Sequence, residues 1–447
     1  MSLRLLKCDW VKLSLLCSVL GLMFIGCEQA DEESDLRLEI ADEVSEALDN
    51  KLDIWYPRVI DQEYGGYLTN FGYDWEQEEN QDKFIVTQTR HLWTLSKVGT
   101  NFPERDYMEY ANRGFQFLRD HMWDEQYGGF YQTVSREGEP IPNQDGEFNK
   151  TLYGNVFAIY GLASYYEYSQ NPEALELAQM AFNWLDDNAR DPVHEGYFQN
   201  LDRGGTPVGE NPLKDYNSGI HTLEAFYELY TVWPDDHLRD RLEEMFFIIR
   251  DVVTTDQGYL NLYFEADWTH VSYRDSTEEV IMANLNRDHV TPGHDIETAY
   301  LLYEAAHALG WQDDETTIQI AKRMVDHTLD HGWDSEAGGI YDVGYYFQGD
   351  DHMSVIRDTK TWWAQAEALN PLLMMADYFP DDPRNYFDKF VMQWEYIKEY
   401  LIDHEHGGWF TSGLDKNPDA RSARKSQQWK GNYHTVRSMM EVIHRLE

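Results

Sequence analysis

Residues 128–134 read GGFYQTV, and the same device returns as GGIYDVG at 338–344 and GGWFTSG at 407–413. One or two glycines before an aromatic or branched residue also stand at Gly65-Gly66-Tyr67, Gly196-Tyr197 and Gly258-Tyr259, so the last glycine recurs at intervals of 63, 67, 62, 81 and 69 residues. Glycine suits a tight turn that needs positive φ, and the alternation after it suits a short strand. Six occurrences at a near-constant period mark a repeat protein.

A helix-like apolar segment begins 21 to 24 residues after five of these glycines and later after the fourth. The segments start near Thr87, Thr151, Asn217, Thr291, Thr361 and Asn432, and Thr and Asn are residues that cap helix N-termini. Their bodies are apolar or small around most of the wheel, which predicts helices buried on several sides. A more charged helix precedes each glycine turn, at about 36–56, 104–122, 172–188, 235–254, 314–331 and 383–403. One repeat is then an outer amphipathic helix, a β-hairpin and an inner apolar helix. Six repeats close into an all-α (α/α)6 barrel with short β-hairpins between outer and inner helices, one catalytic domain over 36–447. That reading replaces the roughly three domains suggested by 447 residues at about 150 per domain. An open superhelix would carry polar capping repeats at its ends, and neither end shows one.

Composition narrows the partners. Aromatic residues make up 15% of a chain that is 42% hydrophobic, which excludes a disordered protein. The 81 Asp and Glu against 36 Lys and Arg leave a formal charge of −45, which repels phosphate backbones and anionic lipid surfaces alike. No nucleic acid partner is expected.

Arg4, Lys7 and Lys12 precede an apolar run that ends at Phe24-Ile25-Gly26-Cys27, the layout of a secretion signal and too short to span a bilayer stably. The small residue before Cys27 resembles a bacterial lipoprotein signal, with Phe24 where Leu is usual. Residues 1–27 are therefore expected as a signal peptide ending at a lipidated Cys27, and 28–35 as an acidic tether. A lipid anchor on a bacterial cell envelope would be the chain's link to a membrane. All three cysteines (Cys8, Cys17, Cys27) lie in this segment, so no disulfide framework supports the fold after cleavage.

The unusual polar residues fall in the first turns of the inner helices: Arg90, Asn217, His221, Glu224, His294, Glu297, Trp363, Glu367 and His434. If all inner helices run the same way, these residues meet at one mouth. Helix N-termini there add positive potential and free N–H donors, which favour an anionic intermediate and lower the pKa of a nearby imidazole. His221 with Glu224, and His294 with Glu297, are three apart, while Trp363 and Glu367 are four apart, so each pair shares a helix face. A carboxylate beside an imidazole fixes its tautomer and raises its basicity. The pattern suits proton abstraction. Trp362, Trp363 and Trp429 stand near helix starts, where an aromatic face can stack on a sugar.

Competing chemistry has less support. His404 and His406 next to a turn lack a third ligand, so no metal site is expected. HExxH, CxxC, GxxxxGK and GxSxG are all missing from the sequence, which removes the zinc protease, nucleotide and serine hydrolase readings. A glycoside hydrolase on the same barrel would draw its carboxylate pair from Glu224, Glu297, Glu367 or Asp295. A lipoprotein that merely held glycans on its tryptophans would have no use for three histidines at one mouth.

The segments TRHLWTLS, LYGNVFAIYGL, NSGIHTLEAFYELY, GHDIETAYLL, WWAQAEAL, DHEHGGWF and WKGNYHTVR, in that order, resemble the N-acylglucosamine 2-epimerase and cellobiose 2-epimerase family. The resemblance implies a cofactor-free enzyme that inverts carbon 2 of a reducing sugar, mono- or disaccharide, through an enediolate. It carries the two acid/base histidines onto His294 and His434, the anion-stabilising arginine onto Arg90 and the supporting histidine onto His221. Asn217, Glu297, Trp363 and Glu367 match positions that bind or orient sugar, and Glu224, Tyr300 and Trp429 join them as expected sugar contacts. The cellobiose epimerases usually carry His where this chain has Gly219 and Trp where it has Tyr300, and Pro292 leans toward the monosaccharide-acting branches. A cellobiose or mannobiose substrate leads, with an aldose–ketose isomerase or an N-acylglucosamine 2-epimerase as alternatives. Oligomeric state has no signal in the sequence.

Overall fold

The computed structural model describes residues 10–446, with side chains from Glu33 onward. Cys27 and the expected leader therefore lie outside the residues whose side chains are described. Six inner helices form the barrel: α2 (Ile85–Asn101), α4 (Leu152–Ser169), α6 (Tyr216–Val232), α9 (Pro292–Ala308), α11 (Trp362–Tyr378) and α13 (Tyr433–Leu446). Each packs on the next, and α13 returns to α2, so the ring is closed. The outer layer is α1 (Trp10–Trp55), α3 (Met108–Phe117), α5 (Pro172–Asn188), α7 (Asp236–Ile248), α10 (Glu315–His331) and α12 (Tyr386–Tyr400). Helices α3, α5, α7, α10 and α12 pack on the inner helix before them, and α1 packs on α13, which joins the two ends of the chain. A short exposed helix, α8 (Glu278–Ala283), occupies the longer fourth interval.

The helix boundaries follow the sequence pattern closely, but the caps do not. Only Thr151 among the expected Thr and Asn residues accepts a first-turn N–H, from Gly154. Helix α6 is capped by Asp215, which accepts from Ser218 N, and α2, α9 and α11 have no side-chain cap. Backbone carbonyls take first-turn N–H groups at those ends instead: Gln132 accepts from Ile85, Thr291 from His294 and Thr411 from Trp362.

The glycine turns form as expected, though the hairpins do not. At Gly128 and Gly129 φ is +69° at both, and a Cβ on Gly129 would come within 2.8 Å of the Trp184 ring. Around each turn the expected hairpin reduces to a single bridge, such as Trp123 with Phe130 and Ile402 with Trp409. The two-residue ladders instead join neighbouring repeats: β1 (Lys83–Phe84) pairs with β2 (Thr133–Val134), β3 (Lys150–Thr151) with β4 (Asn200–Leu201), and β5 (Lys214–Asp215) with β6 (Tyr263–Phe264). Among the described residues only β7 (Val343–Tyr345) and β8 (Ser354–Arg357) pair inside one repeat.

A second device locks the turns. In five of the six, a buried lysine meets the aspartate that opens the turn: Lys83 with Asp61 and Lys150 with Asp124 at 3.1 Å, Lys214 with Asp191 and Lys360 with Asp334 at 2.9 Å, and Lys425 with Asp403. Lys150 also donates to the carbonyls of Gly128 and Arg203, so one ammonium ties its own turn to the next repeat. An inner-helix side chain closes four of the six turns from the other side. Gln88, Asn155 and Gln365 accept the N–H of Tyr67, Phe130 and Ile340. In the fourth repeat Thr255 replaces the aspartate, and Asp295 does the clamping by accepting from Leu260 N at 2.9 Å. Asp295 therefore faces the outer layer. It is unavailable as the hydrolase carboxylate considered from sequence.

Candidate active site

Because the inner helices share one direction, their first two turns converge at one end of the barrel. His434 is in the first turn of α13, and its Nδ1 lies 2.6 Å from Glu367 Oε1 on α11. His221 and Glu224, one turn apart on α6, meet through Nδ1 and Oε2 at 2.7 Å. His294, at the start of α9, pairs instead with a phenol: Tyr216 Oη is 2.8 Å from its Nδ1. Trp363 lies beside two of these histidines, with ring centroids 4.4 Å from His294 and 5.7 Å from His434. Arg90 on α2 donates to Tyr153 Oη at 3.0 Å, and its guanidinium lies over the rings of Phe157 and Tyr433. Its Nε has no hydrogen-bond partner among the described residues.

Arg437, one turn below His434, organises the floor. It donates to Glu224 Oε1, to Tyr433 Oη at 2.6 Å and to Glu297 Oε1 at 2.5 Å, forms an ion pair with Glu367 Oε1 at 2.7 Å, and is 3% exposed. Three carboxylates from three helices thus share one buried guanidinium. Burial alone would push Glu224 up, but Arg437, His221 and Tyr433 overcome it and hold this carboxylate at about 2. Glu367 goes the other way, raised by burial and by Glu297 and Glu224 despite Arg437. Burial also lowers the imidazoles of His294 and His434. Arg90, Arg437, His221 and His294 add to the effect at His434, and His221, His289 and Arg90 add to it at His294. Both rings are therefore neutral near pH 7, the form a general base needs.

Glu297, Glu367 and His434 stand close enough to hold a metal ion among the described residues. The Arg437 guanidinium already pairs with Oε1 of both carboxylates and takes the place of a cation there, while the buried Glu297 Oε2 has no hydrogen-bond partner among the described residues. The same sharing argues against a hydrolase pair, which needs two carboxyl groups facing each other across a scissile bond about 5 to 9.5 Å apart. His404 bonds the Lys398 carbonyl at 2.9 Å and lines an outer groove between α1 and α12, outside the barrel mouth.

The rim holds a cavity of about 160 Å³ lined by Trp429, Asn217, Tyr153, Gln132 and Gln199 among others. Trp429 is 44% exposed, and the buried Asn217 Oδ1 has no partner among the described residues. Tyr153 belongs both to this rim and, through Arg90, to the cluster beneath it. Thus Arg90, Asn217, His221, Glu224, His294, Glu297, Trp363, Glu367, Trp429 and His434 gather at one end of the barrel. Tyr300 does not. It lies six residues below His294 along α9, about 9 Å at 1.5 Å per residue, among Tyr227, Glu304 and Glu441. Sequence reasoning missed Arg437, Tyr433, Tyr153 and Tyr216. Arg437 had a usable signal, since it stands three residues after His434 on a buried helix.

A family model for N-acylglucosamine 2-epimerase matches residues 66–438. A cellobiose 2-epimerase of Bacteroides fragilis is 30% identical over 408 residues, which cover 88% of this chain and 95% of that protein. A D-mannose isomerase of Marinomonas mediterranea is 23% identical over 411 residues, covering 89% and 95%. The crystal structure of a sugar epimerase from a ruminal bacterium aligns with a TM-score of 0.78 at 26% identity, over 91% of this chain and 99% of that one. A match that begins at the first glycine turn and ends one residue beyond Arg437 takes in every residue of the histidine cluster, and by it the chain belongs to the N-acylglucosamine 2-epimerase family.

Proposed function

We propose that the protein inverts C2 of the reducing-end aldose of a disaccharide of the cellobiose or mannobiose type. The observation that carries this reading is the pair His294 and His434. Each has Nδ1 engaged by an internal partner, which leaves Nε2 as the nitrogen for a ligand, and one tryptophan lies beside both. A proton alpha to a carbonyl needs a base of near-neutral strength and a site for the enediolate oxygen. Imidazole meets the first need, contributing about 10²- to 10⁴-fold. Arg90, whose Nε has no partner among the described residues, meets the second, where one well-placed donor is worth about 3 to 4 kcal/mol. Two bases on opposite faces of a planar enediolate allow inversion. We assign help with sugar ring opening to His221, whose Nδ1 is held by Glu224. The disaccharide preference rests on the rim cavity at Trp429 and on the 30% identity to a cellobiose 2-epimerase.

The test is incubation in D2O with glucose, mannose, N-acetylglucosamine, cellobiose and mannobiose separately, followed by NMR. The expected product is the C2 epimer of a disaccharide with deuterium at C2. A ketose as sole product would support the aldose–ketose isomerase reading, which the mannose isomerase relative keeps in view and which differs only in returning the proton to C1. Hydrolysis to monosaccharides would overturn both. His294→Ala and His434→Ala should each abolish turnover in a folded protein, and a chelator should leave it intact. For location, we propose lipidation at Cys27 and attachment to a bacterial cell envelope. A fatty-acid probe should label the wild type and miss Cys27→Ser, and equal labelling of the two refutes the anchor. A single acyl chain binds only marginally, so a second signal or a multi-chain anchor would complete it.

A further inference from the structure

The two histidines differ in what holds them. His434 Nδ1 faces Glu367 Oε1, an oxygen that also forms an ion pair with Arg437 at 2.7 Å. An oxygen paired with a guanidinium cation acts as an acceptor, so Nδ1 of His434 is the donor and Nε2 keeps its lone pair toward the mouth. His294 has no carboxylate on Nδ1 among the described residues. Its partner is the hydroxyl of Tyr216, the first residue of α6, with the two rings edge to face at 5.1 Å and 88°. Trp363 packs on the imidazole as well, at 4.4 Å, so the ring is held by the phenol and the indole. Tyr216 is buried and its phenol stays protonated well above the usual range, beside the Thr291 side chain.

We propose, on the epimerase reading above, that Tyr216 is a positioning residue for the C2 proton transfer: its hydroxyl fixes the His294 ring through Nδ1 and aims Nε2 at the sugar, as the uncharged counterpart of the Glu367–His434 pair. A hydroxyl both donates and accepts, which a carboxylate does not. When Nε2 of His294 carries the proton, Tyr216 Oη–H donates to Nδ1. When Nε2 is bare, or the ring is imidazolium, Nδ1–H donates to Oη and the phenol proton turns toward Thr291. The contact thus survives every protonation state that His294 passes through. In the transfer, the C2–H bond breaks, its electron pair enters the enediolate, and the proton goes to Nε2 of one histidine. The new C2–H bond takes its proton from Nε2 of the other, which donates as an imidazolium that has drawn this proton from solvent and is left neutral with Nδ1–H. The two rings together hold the same number of protons before and after, and exchange with solvent resets them.

The test uses the full chain labelled with 15N-histidine, with His294 and His434 resonances assigned from His294→Asn and His434→Asn. Tyr216→Phe should shift the Nδ1 and Nε2 resonances of His294 and leave those of His434 in place. C2–H exchange into D2O from cellobiose is then followed in each single-histidine background. Where His294 is the working base, Tyr216→Phe should slow exchange about 10- to 100-fold, the range expected when a buried ring nitrogen loses its partner. The loss should be confined to that background. Equal slowing in both backgrounds, or His294 nitrogen resonances that do not move, overturns the assignment. A wild-type protein that exchanges no C2 proton of any sugar overturns the epimerase reading instead, while the nitrogen spectrum still decides the Tyr216 contact.

Discussion

Arg437→Met keeps an unbranched side chain of similar reach and deletes the guanidinium that Glu224, Glu297 and Glu367 share. Breaking a buried ion pair from one side ordinarily costs about 3 to 5 kcal/mol, and here three carboxylates lose their cation at once. The loss has a ceiling, because a stranded carboxylate can take up a proton. From an unfolded value near 4.3, that proton costs about 3.7 kcal/mol per glutamate at pH 7 and about 1 at pH 5. Glu367 is already pushed upward in the intact protein, so the burden falls on Glu224 and Glu297. The expected deficit is therefore up to about 7 kcal/mol at pH 7 and about 2 kcal/mol at pH 5. The sign follows from the direction of the shift. A carboxylate that must take up a proton on folding contributes stability that is whole below about pH 4 and drains away as pH rises. Equilibrium urea unfolding of wild type and variant at pH 7 and pH 5, followed by circular dichroism, measures both numbers. A deficit that is the same at the two pH values, or smaller than about 1 kcal/mol at pH 7, would refute the shared-cation account.

Lys150→Met should destabilise the fold by about 3 kcal/mol, since it strands the Gly128 and Arg203 carbonyls while Arg203 still covers Asp124, and thermal unfolding reads this directly. No measurable change would sink the claim that the buried lysine locks the turn. Trp429→Ala should raise KM for a disaccharide about 2- to 10-fold and barely touch a monosaccharide, the worth of one aromatic stacking contact; equal effects on both sugars contradict a second-sugar role for the rim. Because burial and nearby cations disfavour the protonated rings of His294 and His434, the acid limb of kcat/KM should lie below pH 6.5, and a limb at or above that value contradicts the neutral-imidazole geometry.

The repeat, the closed ring and the common direction of the inner helices were legible in the chain because each rests on local chemistry. Gly128 and Gly129 need positive φ, a 3.6-residue apolar pattern needs burial, and six copies of one unit leave a single way for their N-termini to point. The placement of His221, His294, His434, Arg90 and the three glutamates at one mouth follows from that period alone. What the period does not carry is which side chain meets which across the barrel. Glu367 reaches His434 over 67 residues, Tyr216 reaches His294 over 78 and Arg437 reaches Glu224 over 213, so none of these contacts is a spacing on one helix. The pairs that were visible in sequence, three or four residues apart, proved right for His221 with Glu224 and wrong for His294, whose partner is a phenol on the neighbouring helix. The same limit explains the ladders. A strand of two residues has no internal preference for its own repeat, and the pairing went to the neighbour because the buried lysines pull adjacent turns together. Tyr300 shows the remaining gap: its depth in the barrel depends on helix rise measured from the mouth, and only the closed ring defines where the mouth is.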